Sequence, residues 1–152
     1  MALELGQPAP EFTLKDHHGA PVRLASFRGE RNVVVVFFPF AFTGICTGEP
    51  CTIRDDIGMY QNDEVQVLAV SCDAMATLRV FADREGFTFP LLSDFWPHGE
   101  VARAYGVFDD QAGLALRGTF IVDRDGIVRW SVVNQRGQAR DASTYRAALA
   151  AL

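Results

Sequence analysis

A proline, a threonine and a cysteine stand at the spacing Pro39-x-x-x-Thr43-x-x-Cys46, directly after an apolar run that ends at Phe38. A cysteine thiolate is a strong nucleophile and can be oxidised to a sulfenic acid. The Thr43 hydroxyl, three positions before the thiol, can hydrogen-bond the sulfur or a substrate oxygen. Pro39 adds no competing N–H and can shield a thiolate from water. These residue types favour nucleophilic chemistry at Cys46.

The position of Cys46 favours its ionised form. Residues 32–38 read as a buried strand, and a helix is predicted from Thr43, its N-cap candidate, to about Gln61. Cys46 then lies in the first helical turn, where free N–H groups and the helix dipole lower the pKa of a thiol. Sites in open α/β sheets usually lie at such strand ends. On these residues alone the opposing interpretation stays open, since a lone cysteine at a strand–helix junction is more often a small buried apolar residue.

The elements that must position this segment alternate between strands and helices. Apolar runs and turn residues predict strands at 12–14, 32–38, 65–71, 91–93, 118–122 and 127–133, and a hairpin turn at 16–19. Further helices are predicted at 74–85, closed by Gly86, at 99–105, closed by Gly106, and at 141–152, capped by Asp141 or Ser143. This order predicts an α/β fold, a mixed sheet with helices on both faces.

Composition narrows the class of protein. The chain has 152 residues, which favours a single domain over 1–152. A net charge of −5 argues against nucleic acid or an anionic membrane as the main partner. No apolar run is long enough to span a membrane, and the first residues lack the pattern of a signal peptide, so a cytoplasmic location is expected. Three cysteines are too few for a secreted disulfide scaffold.

Several other site types find no support. The chain has no Cys-x-x-Cys, and its glycines form neither a Rossmann nor a P-loop pattern, so no nucleotide cofactor is implied. His17 and His18 fall in a predicted turn, and with His98 they show no zinc-ligand spacing, so no metal site is predicted.

Five segments in chain order resemble the peroxiredoxin family. Besides the Pro39–Cys46 motif, they are Gly6–Leu14, Phe89–Asp94, Val101–Val107 and Arg117–Asp123. Within that family, Phe42–Cys46 and Ser93–Gly99 are most similar to the AhpE-type peroxiredoxins of actinobacteria. The resemblance implies a thioredoxin-like fold and a thiol-dependent peroxidase that needs no haem, flavin or metal.

The resemblance also implies roles for individual residues. Cys46 resembles the peroxidatic cysteine, Thr43 the hydroxyl that orients the peroxide, and Pro39 the shield. Arg117 resembles the guanidinium that stabilises the thiolate and the charge developing on the leaving oxygen, a role that suits a prepositioned donor. Glu49 stands where the family often has a side chain that supports the arginine. From the residues alone, a surface salt bridge is at least as good an interpretation of Arg117 as a catalytic role.

A second cysteine, Cys51, follows Cys46 by five residues. This spacing resembles the bacterioferritin-comigratory (PrxQ-type) peroxiredoxins, whose resolving cysteine lies in the same helix. In an intact helix, residues five apart have Cα atoms roughly 8.5 Å apart, beyond the ~7 Å limit for a disulfide. Gly48 and Pro50 both weaken a helix, so we expect them to ease local unwinding. The alternative is an inert Cys51 that packs inward, and Cys72 is predicted to be structural.

The peroxidase interpretation implies partners. A hydroperoxide is the substrate, and electrons would come from thioredoxin, or from mycoredoxin and mycothiol. At least two of Phe40, Phe42, Phe95 and Trp96 are expected to pack in the core, and the functional alternative for these aromatic residues is an exposed apolar collar. The resemblance implies dimers formed through that edge, so a homodimer is expected. Two other functions stay open: a peroxide sensor that relays oxidation to a partner protein, and an interaction module without turnover.

Overall fold

The computed structural model describes residues 3–42, 49–55, 57–134 and 147–152. Its strands, in chain order, are β1 Thr13–Asp16, β2 Pro21–Arg23, β3 Asn32–Phe37, β4 Val65–Ser71, β5 Leu91–Ser93, β6 Phe108–Asp109, β7 Leu114–Ala115, β8 Arg117–Val122 and β9 Val128–Asn134. Its helices are α1 Glu49–Asp55, α2 Ile57–Tyr60, α3 Met75–Glu85 and α4 Glu100–Ala104, and residues 147–150 are also helical. A 3-10 turn covers Leu24–Phe27.

Seven strands form one mixed sheet in the order β2-β1-β5-β4-β3-β8-β9. The central strands β3, β4 and β5 run parallel, and β8 pairs antiparallel with β3. β4 is buried along its whole length, which explains its continuous apolar sequence. The strands β6 and β7 form a separate small hairpin.

Helices cover both faces of this sheet. Val34 and Val36 of β3 point to one face and pack in a cluster with residues of α1 and α3. Val33, Val35 and Phe37 alternate to the other face, where they pack in a second cluster with residues of α4. The predicted α/β arrangement with a mixed sheet between helices is confirmed.

The predicted elements differ from the structure mainly in short segments. Gly86 ends α3 in the left-handed conformation, at φ 72°, as predicted for a C-terminal cap. The hairpin of β6 and β7 was not predicted, because two-residue strands show no alternation to detect. The first predicted helix contains α1 and α2, and its expected start at Thr43 lies outside the described residues. The proposed caps Asp141 and Ser143 of the last helix lie outside them as well.

The carboxyl ends of the parallel strands meet at one edge of the sheet, here called the catalytic edge. Phe37 of β3 is paired with Val70 of β4 and with Gly118 of β8. Ser71, the last residue of β4, is paired with Ser93, the last residue of β5. The segments that follow these three strands, and the first residue of β8, therefore lie together. Among the described residues, no helix has the length and apolar character to cross a membrane.

Candidate active site

Two of the predicted site residues come together at the catalytic edge. Pro39 is buried two residues beyond the end of β3, and the Phe38 N–H before it donates to the Val70 carbonyl at 3.0 Å. Arg117 opens β8 and is half-buried, one residue before Gly118, which pairs with Phe37. Residues distant in the sequence are thus brought to neighbouring strand ends. This placement argues against the interpretation of Arg117 as a fully exposed surface cation.

The other predicted catalytic residues cannot be located in the same way. Thr43 and Cys46 lie outside the described residues. Glu49 is the first residue of α1, which places it on the helix that follows the motif. The roles assigned to these three residues stay predictions.

Cys51 lies in α1 and takes part in a disulfide. Its side chain is 5% exposed and belongs to the cluster that also contains Phe38, Ala41 and Ile53. The inward packing expected of an inert cysteine is therefore present together with a disulfide, and the resolving role stays a prediction. Pro50 is the second residue of α1, in the first helical turn, where the missing N–H of proline costs no hydrogen bond.

Cys72, which follows β4, is a free thiol with only 1% of its surface exposed. Burial, with a smaller contribution from the carboxylates of Asp94 and Asp73, raises the pKa of Cys72 to about 12. A thiol with such a pKa stays protonated at neutral pH and is a poor nucleophile. The structure therefore fits the predicted structural role of Cys72.

A carboxylate that the sequence analysis missed holds the segment after Pro39. The Ala41 N–H donates to Asp73 Oδ2 at 2.8 Å, and the Ser71 hydroxyl donates to the same oxygen at 2.6 Å. The Ser93 hydroxyl donates to the Asp73 carbonyl at 2.6 Å. Burial raises the pKa of Asp73, whereas its hydrogen bonds from Ser71 and Ala41 lower it. In the sequence, the pattern Ser71-x-Asp73 at the end of a predicted buried strand could have indicated this carboxylate.

The aromatic residues near the catalytic edge are mostly exposed. Phe42, Phe95 and Trp96 have 42%, 51% and 80% of their surfaces exposed, and Phe40 is half-buried. The expectation that at least two of the four pack in the core is wrong. The Phe42 ring packs edge-on against Phe81, with ring centres 5.1 Å apart, so its exposure is one-sided.

His17 has a structural role. His17 is buried, and its Nδ1 accepts a hydrogen bond from the Leu91 N–H at 3.2 Å. Burial, and to a lesser extent the neighbouring His18, lower the pKa of His17, so it is neutral at pH 7. Within the ranges that the structure describes, no group of three or more His, Cys, Asp or Glu side chains could hold a metal ion.

Comparison with known proteins identifies the family. The model of the AhpC/TSA family matches residues 5–131. Alkyl hydroperoxide reductase E of Mycobacterium bovis is 52% identical over 150 residues, which cover 99% of this chain and 98% of that protein. Chloroplastic peroxiredoxin Q of Sedum lineare is 36% identical over 131 residues, covering 86% of this chain and 69% of the relative.

A solved structure agrees with these sequence matches. Peroxidoxin BcpB from Mycobacterium tuberculosis superimposes with a TM-score of 0.85 at 31% identity, over 99% of this chain and 98% of the other. The predicted thioredoxin-like fold and the predicted likeness to both AhpE-type and PrxQ-type proteins are confirmed. From its sequence and its fold, this chain belongs to the AhpC/TSA family of peroxiredoxins.

Proposed function

We propose that this protein is a thiol-dependent peroxidase that reduces hydrogen peroxide and organic hydroperoxides at Cys46. The observation that carries the proposal is the near full-length identity of 52% with proteins named alkyl hydroperoxide reductase E. The placement of Pro39, four residues before Thr43 in the sequence, and of Arg117 at neighbouring strand ends of the catalytic edge supports it. The relatives are named as reductases and peroxiredoxins, which does not favour the sensor alternative.

The first step is nucleophilic. The Cys46 thiolate attacks the terminal oxygen of the hydroperoxide, the O–O bond breaks, and the sulfur becomes a sulfenic acid. The leaving oxygen departs as an alkoxide or hydroxide and takes up a proton, giving an alcohol or water. The charge that develops on this oxygen is what a prepositioned guanidinium and N–H groups stabilise most.

Each predicted site residue has a part in this step. Arg117 supplies positive charge beside the sulfur and the leaving oxygen, and its place at the start of β8 suits that task. Thr43 orients the peroxide through its hydroxyl, Pro39 excludes water, and Glu49 holds the guanidinium in place. Because β8 is hydrogen-bonded along β3, the sheet itself fixes Arg117 relative to the end of β3.

The second step forms a disulfide. The Cys51 thiol attacks the sulfenic acid, the S–O bond breaks, and water leaves. Three observations support a Cys46–Cys51 pair: Cys51 takes part in a disulfide, Cys72 is a free thiol, and Cys46 is the one other cysteine of the three in the sequence. Such a pair requires the chain between the two cysteines to depart from an intact helix, which Gly48 and Pro50 favour.

Reduction restores both thiols. We propose that the electrons come from thioredoxin, or from mycoredoxin and mycothiol, and the mycobacterial relatives favour the second source. A homodimer formed through the exposed aromatic collar of Phe42, Phe95 and Trp96 and a cytoplasmic location are parts of the same proposal.

Turnover by cysteine variants tests the function. Peroxide consumption is measured with a dithiol reductant in excess for the wild type, Cys46→Ser, Cys51→Ser and Cys72→Ser. We expect Cys46→Ser to be inactive, Cys51→Ser to turn over only with a thiol that reduces sulfenic acid directly, and Cys72→Ser to match the wild type. Full activity of Cys46→Ser would refute the proposal. Oxidation that ends in one stoichiometric mixed disulfide, with no turnover, would indicate the sensor instead.

A further inference from the structure

The segment between Pro39 and the Thr43–Cys46 motif is held in an unusual backbone conformation. Phe42 has φ 63°, and it is the one residue other than glycine with positive φ among those described. The left-handed region is unfavourable for a bulky side chain and persists only where the surroundings enforce it. Such positions concentrate at functional sites. Two contacts, one on each side of the Ala41–Phe42 peptide, are placed to enforce it.

The first contact lies on the side chain of Phe42. Its ring packs edge-on against Phe81 of α3, and the Arg84 guanidinium lies 5.6 Å from the ring centre. The second contact is on the backbone, where Asp73 Oδ2 accepts the Ala41 N–H at 2.8 Å. Ala41 is itself 7% exposed, so the segment cannot easily be held by water in place of the carboxylate.

Asp73 is fixed from three directions. The Ser71 hydroxyl donates to the same Oδ2, the Asp73 N–H is 3.3 Å from Ser71 Oγ, and the Ser93 hydroxyl donates to the Asp73 carbonyl. These serines end β4 and β5, which are paired at this point. Asp73 therefore connects the ends of β4 and β5 to the chain that leaves β3.

We propose that Asp73 is a positioning residue for the peroxide reaction. Its carboxylate is held by Ser71 and its backbone carbonyl by Ser93, and the carboxylate anchors the Ala41 amide and so sets the path of the chain that leads from Pro39 towards Thr43 and Cys46. The proposal rests on the peroxidase function proposed above. Asp73 acts through the backbone of Ala41. A hydrogen bond to a charged carboxylate is roughly twice as strong as a neutral one, which suits a contact that must hold a strained residue.

The test compares two reactions of Cys46 in the same protein. The fully reduced chain is oxidised by hydrogen peroxide and, separately, alkylated by iodoacetamide, and both rates are read at Cys46 by peptide mapping. Alkylation requires the thiolate, whereas reduction of the peroxide also requires an aligned Thr43 and Arg117. The ratio of the two rate constants therefore reports positioning and is insensitive to a general loss of stability.

Three variants are compared with the wild type. Asp73→Ala removes the acceptor, and Asp73→Asn keeps an oxygen that can accept from Ala41 and Ser71 without the charge. Asp16→Ala is the matched control, because Asp16 also accepts two hydrogen bonds through one oxygen, from the His18 and Ala20 N–H groups at 2.9 and 3.0 Å. That turn lies toward the opposite end of β5, next to Leu91.

We expect Asp73→Ala to lower the ratio about 10- to 100-fold, the effect of a displacement on the order of 1 Å in a reacting group. Asp73→Asn should fall between the wild type and Asp73→Ala, and Asp16→Ala should keep the wild-type ratio. If Asp73→Ala does not fold, Asp73→Asn decides, with a measurable decrease expected. A wild-type ratio in every folded Asp73 variant overturns the proposal. Failure of the wild type itself to react with peroxide at Cys46 would instead refute the peroxidase function.

Discussion

A methyl group added at Gly118 should damage the site through the strand that carries Arg117. Gly118 follows Arg117 in β8 and pairs with Phe37 of β3. A Cβ at this position would lie 2.8 Å from Val107 Cγ1 and 3.4 Å from Phe120 Cε1. Val107 has no exposed surface, and its backbone is held by a bond from its N–H to the Ala102 carbonyl at 2.9 Å. The start of β8 must therefore move, since Val107 has little room to do so.

The size of the effect follows from these distances. Ordinary contact begins near 3.4 Å, so the Val107 contact at 2.8 Å requires a shift of about 0.6 Å (3.4 − 2.8). Overpacking of this kind costs about 1–3 kcal/mol, which lowers the Tm of a domain of this size by roughly 2–12 °C. A shift of this order in Arg117 should lower the rate constant for peroxide about 10-fold, within the range known for misplaced groups.

Stopped-flow measurement of Cys46 oxidation by hydrogen peroxide, with a thermal melt of each variant, checks Gly118→Ala. The matched control is Ile121→Val, a fully buried residue of the same strand at a distance from the catalytic edge. It should cost about 0.5–1.5 kcal/mol and leave the peroxide rate unchanged. If Gly118→Ala lowers the Tm but keeps the wild-type peroxide rate, the start of β8 does not position Arg117 for the reaction.

Further predictions concern the cysteines and Pro50. Because burial raises the pKa of Cys72 to about 12, from 9.0, iodoacetamide at pH 8 should label Cys72 only after unfolding. The folded state also holds the Cys72 proton to higher pH than the unfolded state, so the unfolding free energy should decrease as pH rises above about 9. Cys72→Ala should remove that decrease. If the unfolding free energy of Cys72→Ala falls with pH as steeply as that of the wild type, the raised pKa of Cys72 is wrong. Cys51 is 5% exposed, so a monothiol reductant should attack the Cys46 sulfur and be mapped there by mass spectrometry, not on Cys51. Pro50→Ala should slow disulfide formation after oxidation. An interior proline disfavours a helix that runs through both cysteines by ~3 kcal/mol, and alanine removes that penalty in the reduced protein. Quenched-flow alkylation measures the rate of disulfide formation, and an unchanged or faster rate would be evidence against a role for Pro50.

The sequence predicted those parts of the fold that have a local cause. The runs at 32–38 and 65–71 could only be buried strands, and β3 and β4 occupy almost the same residues. Gly86 was recognisable because it follows an amphipathic helix directly. The sequence also predicted a site at the end of the strand at 32–38, and Pro39 lies there, at the catalytic edge.

The remainder depended on contacts between distant residues. The bond between Ala41 and Asp73 joins positions 32 residues apart, and no local pattern predicts it. The exposure of Phe95 and Trp96 was missed for a similar reason. The sequence does not show whether an aromatic residue that follows a strand faces the core or the solvent. The role of Arg117 came from family resemblance, because a lone arginine at a strand end carries no chemical signature of its own.

The most direct test of the central claim is intact mass and peptide mapping of the fully reduced protein after one equivalent of hydrogen peroxide. We expect a loss of two hydrogens, mapped to a disulfide between Cys46 and Cys51, with Cys72 still a free thiol. In Cys51→Ser, the same treatment should add one oxygen to Cys46 that a sulfenic acid reagent traps. A wild-type Cys46 that remains unmodified after peroxide would contradict the peroxidase function, whatever the fold and the family.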